Sequence, residues 1–217
     1  MRWGIVIDRK RCIGCYSCMI SCKQSHALPP EIFWNRVLVS ETGTYPTVTK
    51  QILPVLCNHC KEAACVKACP TGATARREED GIVWVDANKC VGCRYCLIAC
   101  PYQMRTYHTD NRKGYWPGQE LTELERFGRE TFYPHEPHTV IKCNFCMERI
   151  DEGLRKGLQI GIDRDATPIC VNACPVTART FGDLDDPNSN VSKLIKERKG
   201  YQLHTEYGTD PSVYYID

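Results

Sequence analysis

The hydrophobic positions of this chain fall in short blocks, and none is longer than a strand. WGIVI at 3–7 and GIVWV at 81–85 are apolar runs of strand length, and the second follows a turn signal at Asp80–Gly81. RVLV at 36–39 and KQILPVL at 50–56 flank Gly43 and Pro46 and predict a hairpin over residues 31–53. MERIDEGLRKGL at 147–158 has the helical period and predicts an amphipathic helix. SVYYI at 212–216 predicts a last strand. The longest apolar blocks, WGIVI and ILPVLC, are far below the ~18 residues that span a bilayer, so no direct membrane span is expected.

Between these blocks lie 16 cysteines in 217 residues. They form four runs of four with none left over. Run one is Cys12, Cys15, Cys18 and Cys22; run two is Cys57, Cys60, Cys65 and Cys69. Run three is Cys90, Cys93, Cys96 and Cys100; run four is Cys143, Cys146, Cys170 and Cys174. Each third cysteine, as in CMISC and CLIACP, is expected to open a short helix. Pro70, Pro101 and Pro175 follow the fourth cysteine and stop that helix, because proline lacks an N–H and restricts the residue before it. Run one departs here, since Cys22 is followed by Lys23.

Disulfides, zinc and iron–sulfur clusters compete for such thiols. No apolar h-region precedes Cys12, so a secretory signal and a disulfide scaffold are not expected. Zinc sites also use C-x2-C, but they draw two ligands from each of two knuckles. Three thiols at C-x2-C-x2-C match three corners of a cubane, and CVGCRYCLIACP is the bacterial ferredoxin run, whose fourth cysteine serves the other cluster of a pair.

Asp8 and Asp86 open the same frame, D-x3-C-[IV]-G-C-x-[YS]-C, and CNHC…CVKACP answers CNFC…CVNACP. The chain therefore reads as a duplicated two-run unit. The expected fold is α+β, two bacterial-ferredoxin-like 2[4Fe–4S] modules with hairpin and long loop insertions. The insertion at 101–142 is aromatic (Tyr102, Tyr107, Tyr115, Trp116, Phe132, Tyr133) and is a candidate docking surface. The net charge of +2 gives no nucleic-acid footprint, and there is no GxGxxG, P-loop, HExxH or CxxCH motif. No catalytic residues are expected. Gly14 and Gly92 would let backbone N–H groups approach sulfur, and Lys23, Arg94, Arg105, Lys142 and Arg149 are candidate cations for raising a cluster potential. His59 inside CNHC is expected to pack rather than ligate.

GTYPTV at 43–48, LCNHC, CVKACPTGA, CVGCRYCLIACPY and GDLDDPNSNVSKLI resemble one family over nearly the whole chain. It is the four-cluster iron–sulfur subunit of dimethyl sulfoxide reductase-type molybdoenzymes, including those of polysulfide, tetrathionate and respiratory arsenate reductases. The resemblance implies crossed ligation. Cys12, Cys15, Cys18 and Cys174 would hold one [4Fe–4S] cluster, and Cys143, Cys146, Cys170 and Cys22 the next. Cys57, Cys60, Cys65 and Cys100 would hold a third, and Cys90, Cys93, Cys96 and Cys69 the fourth. Residues 1–52 and 140–217 would then form one module and 53–110 the other, with 111–139 an insertion loop. The implied role is a non-catalytic relay of single electrons through four [4Fe–4S] clusters. The implied partners are a molybdopterin catalytic subunit and a membrane quinone-binding subunit. The implied compartment is the periplasm, by co-export with a twin-arginine partner, with the cytoplasm as the other option. The competing reading is a free-standing polyferredoxin.

Overall fold

The computed structural model describes residues 1–109, 118–131 and 135–217. Tyr115, Trp116, Phe132 and Tyr133 lie outside the described residues. Strand β1 (Trp3–Asp8) is buried at every position and is the middle of a three-stranded sheet. Its neighbours are the far end of the chain. They are β8 (Arg179–Asp183), antiparallel to it, and β9 (Val213–Ile216), parallel to it. An unbroken apolar run needs cover on both faces. Ile5 and Ile7 face the main core with Phe145, Phe181 and Tyr215, whereas Val6 packs with Val191 and Ile216. Val191 belongs to α7 (Asn190–Glu197), whose N-cap Ser189 accepts the Ser192 N–H.

The hairpin forms as the sequence predicts. β2 (Asn35–Thr42) and β3 (Thr49–Leu56) pair antiparallel, with Asn35 opposite Leu56. β3 runs straight into run two, so the module boundary expected at 52–53 falls inside a strand. β4 (Thr74–Arg76) pairs with β5 (Val83–Val85). Within the aromatic insertion at 101–142 there is regular structure. β6 (Thr106–His108) pairs with β7 (Thr139–Ile141), and helix α4 spans Glu123–Thr131. The helix starts at a capping box: the Glu125 carboxylate accepts the Thr122 N–H at 2.8 Å, and the Thr122 hydroxyl accepts the Glu125 N–H at 3.3 Å.

Four helices carry the third cysteines, and each begins one residue before its cysteine. They are α1 (Ser17–Ser25), α2 (Ala64–Lys67), α3 (Tyr95–Ile98) and α6 (Ile169–Asn172). The three that meet Cys-Pro stop after 4 residues, and α1, with no proline ahead, runs for 9. The amphipathic helix α5 (Met147–Arg155) follows Cys146. The C-terminal segment fastens run two to this framework. Lys61 and Glu62 donate to the carbonyls of Asp210 and Thr209, and Ser212 N–H donates to Asn58 O at 2.7 Å.

Candidate metal centres

All four runs share one backbone device. The residue two places after the first cysteine is left-handed: Gly14, His59, Gly92 and Phe145. Tyr16, Arg94 and Cys146 are left-handed as well. Such turns direct consecutive N–H groups to one side, a nest suited to anionic sulfur. Glycine adopts them freely, whereas each non-glycine residue costs about 1–2 kcal/mol. Strain of this kind is held where the surroundings over-determine it. At run two and run four the support is mutual, because the buried His59 and Phe145 rings stack with centroids 3.7 Å apart. His59 Nδ1 accepts the Val83 N–H at 3.0 Å, so this buried histidine packs between β5 and the loop of run four.

The thiols gather across runs. Cys12, Cys15, Cys18 and Cys174 line one small cavity together with Gly14 and Arg179. Cys146 neighbours Cys170, Cys22 and Cys143, and Cys60 neighbours Cys57, Cys65 and Cys100. Cys96 neighbours Cys65 and Cys90. Cys69 sits at the end of α2, which packs on α3, the helix of Cys96. Electrostatic interactions also link the groups: Cys18 with Cys170, Cys143 with Cys57, and Cys65 with Cys96. Among the described residues no three His, Cys, Asp or Glu side chains converge as ligands of a single ion would. A tetrahedral zinc needs its sulfurs ~2.3 Å from one point, whereas a four-iron cubane takes its four thiolates at separate irons.

The interior is costly for a free thiolate. Burial, with Cys170 beside it, pushes the Cys22 thiol up to about 12. Burial, with Cys57 adjacent, does the same to Cys60, and Cys143 and Cys146 are raised well above the usual range by burial. Such thiols hold their protons until a bound metal displaces them. The last cysteines of three runs sit where the backbone offers hydrogen bonds. Ala178 N–H donates to Cys174 Sγ at 3.2 Å and Thr74 N–H to Cys69 Sγ at 3.3 Å, and the Met104 backbone supports Cys100. For Cys69, burial is outweighed by the hydrogen bonds of Thr74 and Thr71, and its thiol falls to about 7.

Of the five candidate cations, Arg105 touches a cysteine: its Nη2 donates to Cys65 Sγ at 3.0 Å. The Lys142 ammonium donates to Cys143 O and Val83 O. Lys23 is held by the carbonyls of Pro30 and Ile32, Arg149 by Thr167 O, and Arg94 lies over the Tyr107 ring. Sequence reasoning missed a sixth cation, Arg179, buried close to Cys170 and Cys18. The shared spacing C-P-x3-R, in CPYQMR and CPVTAR, marks it beside Arg105.

Of the sixteen cysteines only Cys15 and Cys93 are exposed. Around them Ile13, Tyr16 and Ile20, and Val91, Tyr95 and Ile98, also face solvent.

The loops, their short helices and the small sheets define a ferredoxin-like 4Fe–4S protein of mixed helix and strand content. Residues 48–115 match the model of a 4Fe-4S dicluster domain, and residues 9–25 that of a 4Fe-4S binding domain. A protein of Halobacterium salinarum assigned as the iron-sulfur subunit of a dimethyl sulfoxide reductase is 42% identical, over 99% of this chain and 79% of its own length. The arsenate respiratory reductase iron-sulfur subunit of a Shewanella species is 37% identical, over 100% of this chain and 96% of its own. A selenate reductase subunit of Mesobacillus selenatarsenatis is also 37% identical, over 100% and 72%. The chain belongs to the iron–sulfur electron-transfer subunits of the dimethyl sulfoxide reductase-type molybdoenzymes.

Proposed function

We propose that this chain relays single electrons through four [4Fe–4S] clusters, between a molybdopterin catalytic subunit and a second redox partner. The ligand sets are Cys12, Cys15, Cys18 with Cys174, and Cys143, Cys146, Cys170 with Cys22. The other two are Cys57, Cys60, Cys65 with Cys100, and Cys90, Cys93, Cys96 with Cys69. The thiol neighbourhoods support the crossing, since Cys22 lies with run four and Cys100 with run two. The dicluster match over 48–115 supports a module of runs two and three, leaving runs one and four as the other. A [4Fe–4S] cluster held by four cysteines supplies a one-electron couple with no open iron for substrate.

The observation that carries the reading is the placement of the two exposed thiols. The electrostatic interactions between groups support an order of the four sets in series, with Cys15 in the first and Cys93 in the last. Five of the eight cysteines in the two middle sets are buried, whereas each end set holds one exposed thiol, flanked by exposed apolar side chains. A relay needs two such ends, one for each partner. Among the described residues no helix is long and apolar enough to cross a membrane. Exchange with quinone would therefore run through a separate membrane subunit at one end.

Native purification tests the proposal. The chain is expected to elute in a complex that contains molybdenum and to carry about sixteen irons with matching labile sulfide. A brown monomer of 24.8 kDa would favour the free-standing polyferredoxin. Stoichiometric zinc with little iron would refute both.

A further inference from the structure

Two arginines are buried without the partner a buried cation needs. Arg105 is 5% exposed and Arg179 is 4% exposed. Two other arginines that are largely covered pair with carboxylates: Arg2 with Asp210, and Arg77 with Asp80 and Asp151. Among the described residues neither Arg105 nor Arg179 forms an ion pair with a carboxylate. Arg105 Nη1 donates to Thr74 Oγ1 at 3.1 Å, and its Nη2 donates to Cys65 Sγ. Arg179 Nη1 donates to Asn35 Oδ1 at 2.9 Å. Among the described residues Arg105 Nε and Arg179 Nη2 have no hydrogen-bond partner. Burying a guanidinium in this way is unfavourable unless an anion sits beside it.

The groups that do surround them are cysteines, and they come from two ligand sets in each case. Arg105 faces Cys65 and Cys57 of one set and Cys96 of the next. Arg179 faces Cys170 of one set and Cys18 of the next. Each arginine stands five residues after the last cysteine of its run.

We infer that Arg105 and Arg179 are shared counter-charges, each wedged between the two clusters of one module and raising the potentials of both. This rests on the four-cluster reading. Each electron added to a cluster adds one negative charge, which opposes a second electron on its neighbour. A fixed cation between the two offsets that repulsion for either one, and the low dielectric of the interior enlarges the effect. The module, not the single cluster, is then the unit whose potential is set.

The test is redox-titrated EPR on the full-length chain in its complex, with signals assigned through single Cys→Ser variants of each run. Iron and sulfide are counted first in the unaltered protein. A count far from about sixteen defeats the four-cluster reading, separately from this inference. Arg179→Gln is expected to weaken reduction of both clusters of runs one and four by at least tenfold, about 59 mV for a one-electron couple, and to leave the other pair in place. Arg105→Gln is expected to do the same to the pair of runs two and three. Four unchanged potentials at full iron content, or four that fall together, would overturn the inference. If a glutamine variant loses iron, the lysine variant at that position is titrated instead. It keeps the charge and loses the fork, so a smaller fall confined to the same pair is expected. A shift that is absent or spread over all four clusters would overturn the inference here too.

Discussion

At Gly14 and Gly92 the chain makes the same turn twice, with φ of +69° and +66°. In both loops a second left-handed residue follows, Tyr16 or Arg94, and then the helix of Cys18 or Cys96. The surroundings of the two turns differ. A Cβ on Gly92 would lie 2.2 Å from the His138 carbonyl oxygen, which is fixed backbone. The nearest atoms to a Cβ on Gly14 would be those of the Ile52 side chain, from 3.1 Å. Arg94 is held over Tyr107, whereas Tyr16 stands in solvent. The helix after Cys96 is cut short before Pro101, and the one after Cys18 runs on through Lys23. One local plan thus fixes the shape of both loops, and the packed neighbour decides how much change each can absorb.

The largest expected effect tests which runs belong together. Cys22→Ser and Cys143→Ser should each abolish the same EPR signal, although 121 residues separate them. Loss of two different signals would undo the crossed pairing and with it the matching of the two loops. Next comes Gly92→Ala. It should cost more than the ~1–2 kcal/mol of a left-handed alanine, because a carbonyl must also move, and iron content should fall with the melting temperature. Lys23→Pro would impose the run-three ending on run one. Since α1 continues past this point, a loss of ~3 kcal/mol or more is expected in thermal unfolding. A neutral result would mean that the long helix is incidental. Gly14→Ala is the mildest, at about 1–2 kcal/mol with all iron retained. If it proves as damaging as Gly92→Ala, the contrast between the two walls is wrong.

The sequence made short-range structure readable. Cysteine spacing and Cys-Pro set the helix starts and stops, and the blocks around Gly43 and Pro46 gave the hairpin, because each is decided within a few residues. Helix α4 was readable too, from Thr122-x-x-Glu125, but its length and its aromatic flanks suggested a loop. What stayed hidden depends on contacts across the chain. Nothing near Thr106–His108 announces its partner at Thr139–Ile141, and three residues carry little periodic signal. Arg179 meets Cys18 from 161 residues away, and His59 meets Phe145 from 86 away. The spacing singles out every candidate cysteine, whereas the cysteines that Arg105 and Arg179 face from other runs, Cys65 and Cys18 among them, cannot be read from the C-P-x3-R spacing that marks both arginines.

The placement of β1 imposes a schedule on the newborn protein. Both of its neighbours, β8 and β9, come from the last forty residues, so the ribosome releases the first strand long before it can be paired. At about 5–20 residues per second, the wait from Asp8 to Arg179 is roughly 10–30 s. Through that interval Cys12, Cys15 and Cys18 hang from an unfinished sheet, and before its end the segment carrying Cys57 to Cys100 has been made. A cell making this chain must therefore shelter its earliest thiols until its latest residues arrive.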